Sequence, residues 1–310
     1  RGMNQSTIRK SIECSGIGLH SGRKVRMCLR PAPENTGILF CLRNGAGTRF
    51  LSPSPQAVVA TGLATTLGAG KDQVATVEHL LAAVRGMEID NLMIEVEGGE
   101  APIMDGSAAS FVFLLRSAGI RRQAAPRRGY ALKRPFKLEQ DGKWIKAEPY
   151  QGFHLDYTVD FDHPLVGRQH MSVELTPENF TSRIAKARTF GFLRDVERMQ
   201  QAGFALGGSL ENAVVLDDYG VLNPEGLRFD DECVRHKALD FIGDMAVLGL
   251  PLYGRFQVYC SGHGLNNAFL RSLYENREIY LEEVEFAAPQ ALPLPTRETR
   301  PQEEGVPVLA

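Results

Sequence analysis

Along residues 228–248 (RFDDECVRHKALDFIGDMAVL) apolar side chains recur at helical spacing. At about 100° per residue, Val234, Ala238, Phe241, Ile242, Met245 and Leu248 fall on one stripe. Asp230, Asp231 and Glu232 stand where a helix N-terminus favours negative charge, and Pro251 lies just past the expected end. A second row, His236, Asp240 and Asp244, repeats every four residues with Lys237 and Cys233 beside it. The pattern predicts a helix that packs one face and presents the other.

Other stretches are read in the same way. Strands are expected over residues 24–30 and 37–43, with a glycine-punctuated turn, Gly16-Ile-Gly-Leu-His20-Ser-Gly, before them. Residues 74–85 (VATVEHLLAAVR) predict a helix that carries Glu78 and His79 and stops at Gly86. Residues 90–97 alternate as a half-buried strand, and 109–118 form an apolar helix. The basic stretch 121–134 reads as a solvated linker between two halves. Beyond it, 153–162 and 171–175 predict a hairpin, 195–202 a helix, and 213–216 and 256–260 short strands. Ser261-Gly-His263-Gly closes the last of these. Each half thus pairs several strands with two main helices, an α+β arrangement. Residues 286–310 are rich in Pro, Glu and Gln without periodicity and are expected to form a mobile tail.

Composition narrows the classes. The chain has 310 residues, 43% hydrophobic and 23% charged, with a formal net charge of −2, so no global basic field points to nucleic acid. No apolar run approaches the roughly 20 residues needed to span a bilayer, and no signal-peptide pattern opens the chain. Arg1 and Gly2 read as additions ahead of a natural start at Met3. The five cysteines, Cys14, Cys28, Cys41, Cys233 and Cys260, contain no C-x-x-C pair, so neither a disulfide framework nor a cysteine-rich zinc site is expected, and a reducing cytoplasm fits.

Candidate chemistry lies on the two helices. His236 and Asp240, one turn apart, can hold one cation through an imidazole nitrogen and a carboxylate oxygen, although such a pair also serves as a helical ion pair. Glu78 and His79 diverge by about 100° on their helix. One can therefore be a ligand while the other reaches a water. His79, His236 and Asp240 together make a set of two imidazoles and one carboxylate that leaves a fourth position open, as catalytic metal sites do. Glu78 is then placed to take the water's proton, and His263 to give one to a leaving group.

Seven segments carry a family resemblance: T-V-E-H-L at 76–80, P-I-M-D-G-S-A-A at 102–109, H-P-L-V-G-R-Q at 163–169, A-R-T-F-G-F at 187–192, G-G-S-L-E-N-A at 207–213, V-R-H-K-A-L-D-F-I-G-D at 234–244 and S-G-H-G-L-N-N at 261–267. In this order, over about residues 5–275, they resemble the UDP-3-O-acyl-N-acetylglucosamine deacetylases, zinc enzymes that commit bacteria to lipid A synthesis. The resemblance implies two domains of similar topology, each a sheet against two helices, with the active site between them. Their expected extents are 3–128, with an insert near 46–66, and 129–285, with an insert near 193–216. It further implies one zinc ion on His79, His236 and Asp240, Glu78 as general base, and His263 as general acid oriented by Asp244. Thr189 is expected at the oxyanion, and Lys237 and Phe190 on the nucleotide-sugar side. An acyl passage is expected to be lined by Val196, Ala205, Leu210 and Val215, with Leu19, Leu63 and Asp195 among the substrate contacts. The implied substrate is UDP-3-O-(3-hydroxyacyl)-N-acetylglucosamine, acted on by a cytoplasmic monomer. Two positions depart from the pattern. Cys260 stands where a lysine is expected, and Cys233 replaces an apolar or aromatic residue one turn before His236. The residues also fit a zinc amidase or esterase with another substrate, or a metal-stabilised binding module, for which Glu78 would have no use.

Overall fold

The computed structural model describes residues 4–45 and 47–286. Arg1 and Gly2 lie outside the described residues, as does the expected 286–310 tail apart from Phe286, which is in a strand. β1 (Asn4–Ile8) is followed by four strands of one sheet, β2 (Ile12–Ile17), β3 (Lys24–Pro31), β4 (Ile38–Asn44) and β5 (Gly47–Leu51). A separate three-stranded sheet, β6 (Val58–Ala60), β7 (Thr66–Ala69) and β8 (Asp72–Val74), precedes helix α1 (Glu78–Gly86). β9 (Leu92–Glu97) then returns to the first sheet, and α2 (Ala109–Ala118) covers it. The expected helix from residue 74 begins later, at Glu78, because Val74 is paired in β8 and Thr76 adopts φ +57.

The second half repeats this order. β10 (Ile120–Leu132) leads into β11 (Phe136–Gln140), β12 (Lys143–Glu148), β13 (Phe153–Asp160) and β14 (Arg168–Glu174). A helical turn, α3 (Pro177–Asn179), precedes a two-stranded unit of β15 (Phe190–Phe192), α4 (Leu193–Gln201) and β16 (Val214–Leu216). Then come α5 (Glu232–Ala246), β17 (Leu252–Tyr259), α6 (His263–Glu275), the short α7 (Arg277–Tyr280) and β18 (Leu281–Phe286). The first sheet runs β2-β3-β9-β4-β5 and the second β11-β12-β17-β13-β14, with only the β9–β4 and β17–β13 neighbours parallel within these five-strand paths. Both halves therefore follow one topology, in which four strands, an extra unit, a helix, a central strand and a second helix succeed one another.

Residues 121–134 are not the solvated linker that their charge suggests. β10 pairs with β1 over its first part and with β18 and β17 over its second. Arg127 is buried there because Asp90 and the Glu88 carbonyl take its guanidinium. A count of cations along the chain misses carboxylates that fold onto them from 37 positions away.

The helices lie between the sheets, and one apolar core, including Leu80, Phe111, Leu115, Phe241, Ile242 and Phe269, runs through both halves. α5 shows no open face: every residue of Glu232–Ala246 except Arg235 and Lys237 is buried. The row expected to face outward is buried: α1 lies against its middle, and His236 and Asp240 border a cavity. Gly243 permits that contact, since a Cβ at this position would sit 1.9 Å from the Glu78 carbonyl oxygen. No helix among the described residues is long and apolar enough to cross a membrane.

Candidate metal centre and active-site cavity

Two structural facts bring the titratable residues together. The positive φ of Thr76, whose hydroxyl donates to buried Glu100, starts α1 abruptly, so Glu78 and His79 occupy its first turn. The close α1–α5 approach at Gly243 then sets that turn against the middle of α5. His79 Nε2 lies 3.4 Å from Asp240 Oδ1, and His236 Nε2 lies 3.2 Å from the same oxygen. His236 Nδ1 donates to the Ala187 carbonyl at 3.0 Å, which leaves its Nε2 as a lone-pair donor. Asp240 Oδ1 is buried and has no hydrogen-bond partner. A buried carboxylate oxygen facing an imidazole lone pair is unfavourable unless a cation sits between them. Separations near 3.3 Å match the edges of a tetrahedron with bonds of about 2.0 Å. The donor set thus fits one divalent metal. The Asp240 carboxyl is pushed up by burial, but His236, His79 and Lys237 outweigh this and hold it well below the usual carboxylate range.

Beside this set lies a second polar cluster. Glu78 Oε1 is 3.5 Å from His263 Nε2, and Glu78 Oε2 accepts the Thr65 amide at 3.1 Å. Burial pushes the Glu78 carboxyl above its ordinary value, against the opposing pull of His263 and His79. His263 Nδ1 donates to Asp244 Oδ2 at 2.7 Å, and the Asn266 amide donates to the same oxygen at 2.8 Å. Burial alone would lower the His263 pKa, but Asp244 and Glu78 raise it to about 10. A carboxylate made more basic and an imidazole that holds its proton are a matched base and acid. Glu78 and His79 diverge on α1, His79 toward Asp240 and Glu78 toward His263.

A cavity of about 630 Å³ opens in front of the two clusters. Thr189, Phe190, Lys237, Asp240, His236 and His263 line its polar end. Leu19, Leu63, Asp195, Val196, Ala205, Leu210 and Val215 line it elsewhere, so every residue expected to contact substrate borders one space. Glu78, His79 and Asp244 are buried just behind that wall. Phe190 packs edge-on against His236, and the Thr189 amide donates to the Gly106 carbonyl, which ties its strand to the 102–107 loop. α4 contributes no buried residue, so its apolar side, with Val196 and Met199, is left facing the cavity. The unit carrying α4 is clasped to the β2–β3 turn of the first half. Gly207 N donates to Leu19 O at 2.9 Å, and a Cβ on Gly207 would meet Gly18 O at 2.2 Å.

Sequence reasoning missed Thr65, Asn266, Phe161 and Met199. Thr65 precedes β7 in an unremarkable run of small residues, and Asn266 lies in a helix, α6, that the pattern does not announce. Of the two departures, Cys233 packs in an apolar cluster with Val166, Val214 and Leu216, and burial pushes its thiol up to about 12. Cys260 is half-buried at φ +52, its amide bonded to Thr158 O at the end of β17.

A duplicated α+β fold with a two-histidine, one-carboxylate set that could hold a metal ion at the seam of its halves, backed by a carboxylate–imidazole pair, has the make-up of a hydrolase. Residues 5–275 match the family model of the UDP-3-O-acyl N-acetylglycosamine deacetylases, and the chain belongs to that family. It is 65% identical over 285 residues to the UDP-3-O-acyl-N-acetylglucosamine deacetylase of Oleidesulfovibrio alaskensis, covering 92% of this chain and 93% of that protein. Its identity to the deacetylase of Nitratidesulfovibrio vulgaris is 60% over 309 residues, covering 99% and 100%, respectively. The Lawsonia intracellularis deacetylase is 53% identical over 283 residues, 91% of this chain and 93% of the relative.

Proposed function

We propose that this chain is a zinc-dependent deacetylase that hydrolyses the N-acetyl group of UDP-3-O-(3-hydroxyacyl)-N-acetylglucosamine, releasing acetate in the committed step of lipid A synthesis. The observation that carries the reading is the partnerless buried Asp240 Oδ1 between two imidazole Nε2 atoms, with the Glu78–His263 pair beside it. Two imidazoles and one carboxylate suit zinc among the common divalent ions. Bound there, the metal would lower the pKa of a coordinated water toward neutrality and polarise a carbonyl oxygen.

The remaining chemistry belongs to the chain's own side chains. Glu78, made more basic by burial, removes the proton of the attacking water. Thr189 offers a hydroxyl to the oxygen that gains charge as the amide carbon becomes tetrahedral, where a fixed donor is most effective. An amine cannot leave as an anion, so His263 Nε2 gives its proton to the nitrogen while Asp244 holds Nδ1. Lys237, 3.6 Å from Asp240, places a cation beside the developing charge, and Phe190 packs against the sugar side. The acyl chain lies along the α4 unit, with Val196, Ala205, Leu210 and Val215 as its walls and Leu19 and Leu63 across from them. Asp195, half exposed, contacts the polar part of the substrate.

We further read residues 3–128 and 129–285 as the two domains, in keeping with the repeated strand order, and the protein as a monomer with one zinc per chain. Five free cysteines suit the cytoplasm. The test is acetate release from the stated substrate with and without a chelator. The reading requires turnover that the chelator abolishes and zinc restores. Metal-loaded protein that leaves the substrate intact would contradict it.

A further inference from the structure

Thr65 touches both halves of the acid–base machinery. It belongs to the first half, in the loop that enters β7, and is 2% exposed. Its backbone amide donates to Glu78 Oε2 at 3.1 Å. Its hydroxyl donates to Asp244 Oδ1 at 2.6 Å, across 179 positions in sequence, and lies 3.3 Å from His263 Nδ1. The other oxygen of Asp244 is taken by His263 and by Asn266, whose own carbonyl accepts from Ser261 Oγ at 2.6 Å. Asp244 is thereby gripped from both sides. His263 and Asn266 hold Oδ2 from its own half, and Thr65 holds Oδ1 from the other.

We propose that Thr65 is a positioning residue that sets the register between general base and general acid, through its amide on Glu78 and its hydroxyl on the Asp244–His263 pair. The reason is geometric. Glu78 rides on α1 and His263 on α6, which belong to different halves, and proton transfer requires each within hydrogen-bond reach of the same reacting group. Other ties cross the seam, since Asn267 and Arg271 of α6 donate to the Pro55 and Val58 carbonyls, but they reach neither Glu78 nor Asp244. Thr65, a single buried residue, bonds to both sides of the seam. Partners of this kind, one step removed from the reacting atoms, are worth about 10–100-fold in activity. This inference rests on the deacetylase reading above.

Thr65→Val and Thr65→Ser form the test. Valine keeps the size and the amide bond to Glu78 and removes only the hydroxyl donor, whereas serine retains the donor and loses a methyl group. In Thr65→Val, kcat for acetate release should fall about 10–100-fold, with KM within about two-fold and bound metal unchanged. Thr65→Ser should recover to within about three-fold of the parent, because the hydroxyl rather than the packing matters. A second readout needs no turnover. In metal-loaded protein labelled with 15N-histidine, the His263 Nδ1 proton resonance should move downfield in Thr65→Val, since a carboxylate that has lost one donor accepts more strongly from those that remain. It should return in Thr65→Ser. A valine variant with parental kcat, a serine variant as impaired as valine, or a resonance that does not move would each overturn the proposal. Parent protein that is inactive on the substrate counts against the deacetylase reading instead, and the resonance then decides the Thr65 proposal alone.

Discussion

Replacing Gly243 with alanine should impair catalysis by moving α1. A Cβ at residue 243 would stand 1.9 Å from the Glu78 carbonyl oxygen, 2.7 Å from its carbonyl carbon and 3.0 Å from its Cα, where ordinary contact begins near 3.4 Å. The shortfall of about 1.5 Å is against backbone, so no rotamer can relieve it. Relief requires α1 to retreat from α5 or to tilt. Overpacking of this kind costs about 1–3 kcal/mol, visible as a melting temperature lowered by several degrees. The functional effect should be larger than the stability effect. Glu78 sits at the contact itself, and a displacement of about 1 Å costs on the order of 10²-fold in rate. His79 rides on the same turn, so zinc affinity should also weaken, though less than in His79→Ala, which deletes the ligand. The assay is kcat for acetate release at saturating zinc, together with a zinc titration and a thermal melt. A Gly243→Ala protein that melts with the parent and retains its kcat would refute the claim that this close approach positions the base.

Other consequences can be checked in the same preparations. Glu78→Ala should keep its zinc and lose about 10²–10⁴ in kcat, measured by acetate release, and near-parental turnover would remove Glu78 as the base. Ala205→Phe should shift relative kcat/KM toward shorter acyl chains, whereas an unchanged ranking across chain lengths would take residue 205 out of the passage. Arg188 and Glu232 form a pair 2% and 1% exposed, so Glu232→Gln should destabilise the fold by about 3–5 kcal/mol at neutral pH. Burial works to raise the Glu232 pKa, but hydrogen bonds from Arg188 and from the Arg188 and Arg228 amides hold it below its ordinary value. A depressed carboxyl stabilises above its unfolded pKa and stops doing so as pH falls through the folded one. The gap between the Glu232→Gln and parent melting temperatures should therefore narrow below about pH 4. A gap that is independent of pH would contradict that assignment.

Much of this site was legible because its key elements carry their pattern locally. α5 announces itself by its apolar stripe, and the His236–Asp240–Asp244 ladder shows that three polar groups share one side of it. The Glu78–His79 pair is equally local. What periodicity cannot convey is what covers a face. The ladder reads as outward-facing, and it is buried because Gly243 lets α1 lie on top of it. β10 failed for a related reason, since the charges of Arg127 and its neighbours suggest solvent until Asp90 and Glu88 are seen to neutralise one of them. Thr65 was invisible because its importance consists of contacts to residues 13 and 179 positions away. The substrate-lining residues came from resemblance rather than from pattern, as short strands around glycines have no period to read.

The most direct measurement is zinc titration of the metal-free protein, with acetate release from UDP-3-O-(3-hydroxyacyl)-N-acetylglucosamine as the signal, alongside His236→Ala and Glu78→Ala. The account predicts turnover that rises to a break at one zinc per chain. It also predicts no break at that stoichiometry in His236→Ala, and normal binding without turnover in Glu78→Ala. Turnover in the parent that is already complete without metal, or that persists in His236→Ala, would contradict the central claim that His79, His236 and Asp240 hold the ion on which hydrolysis depends.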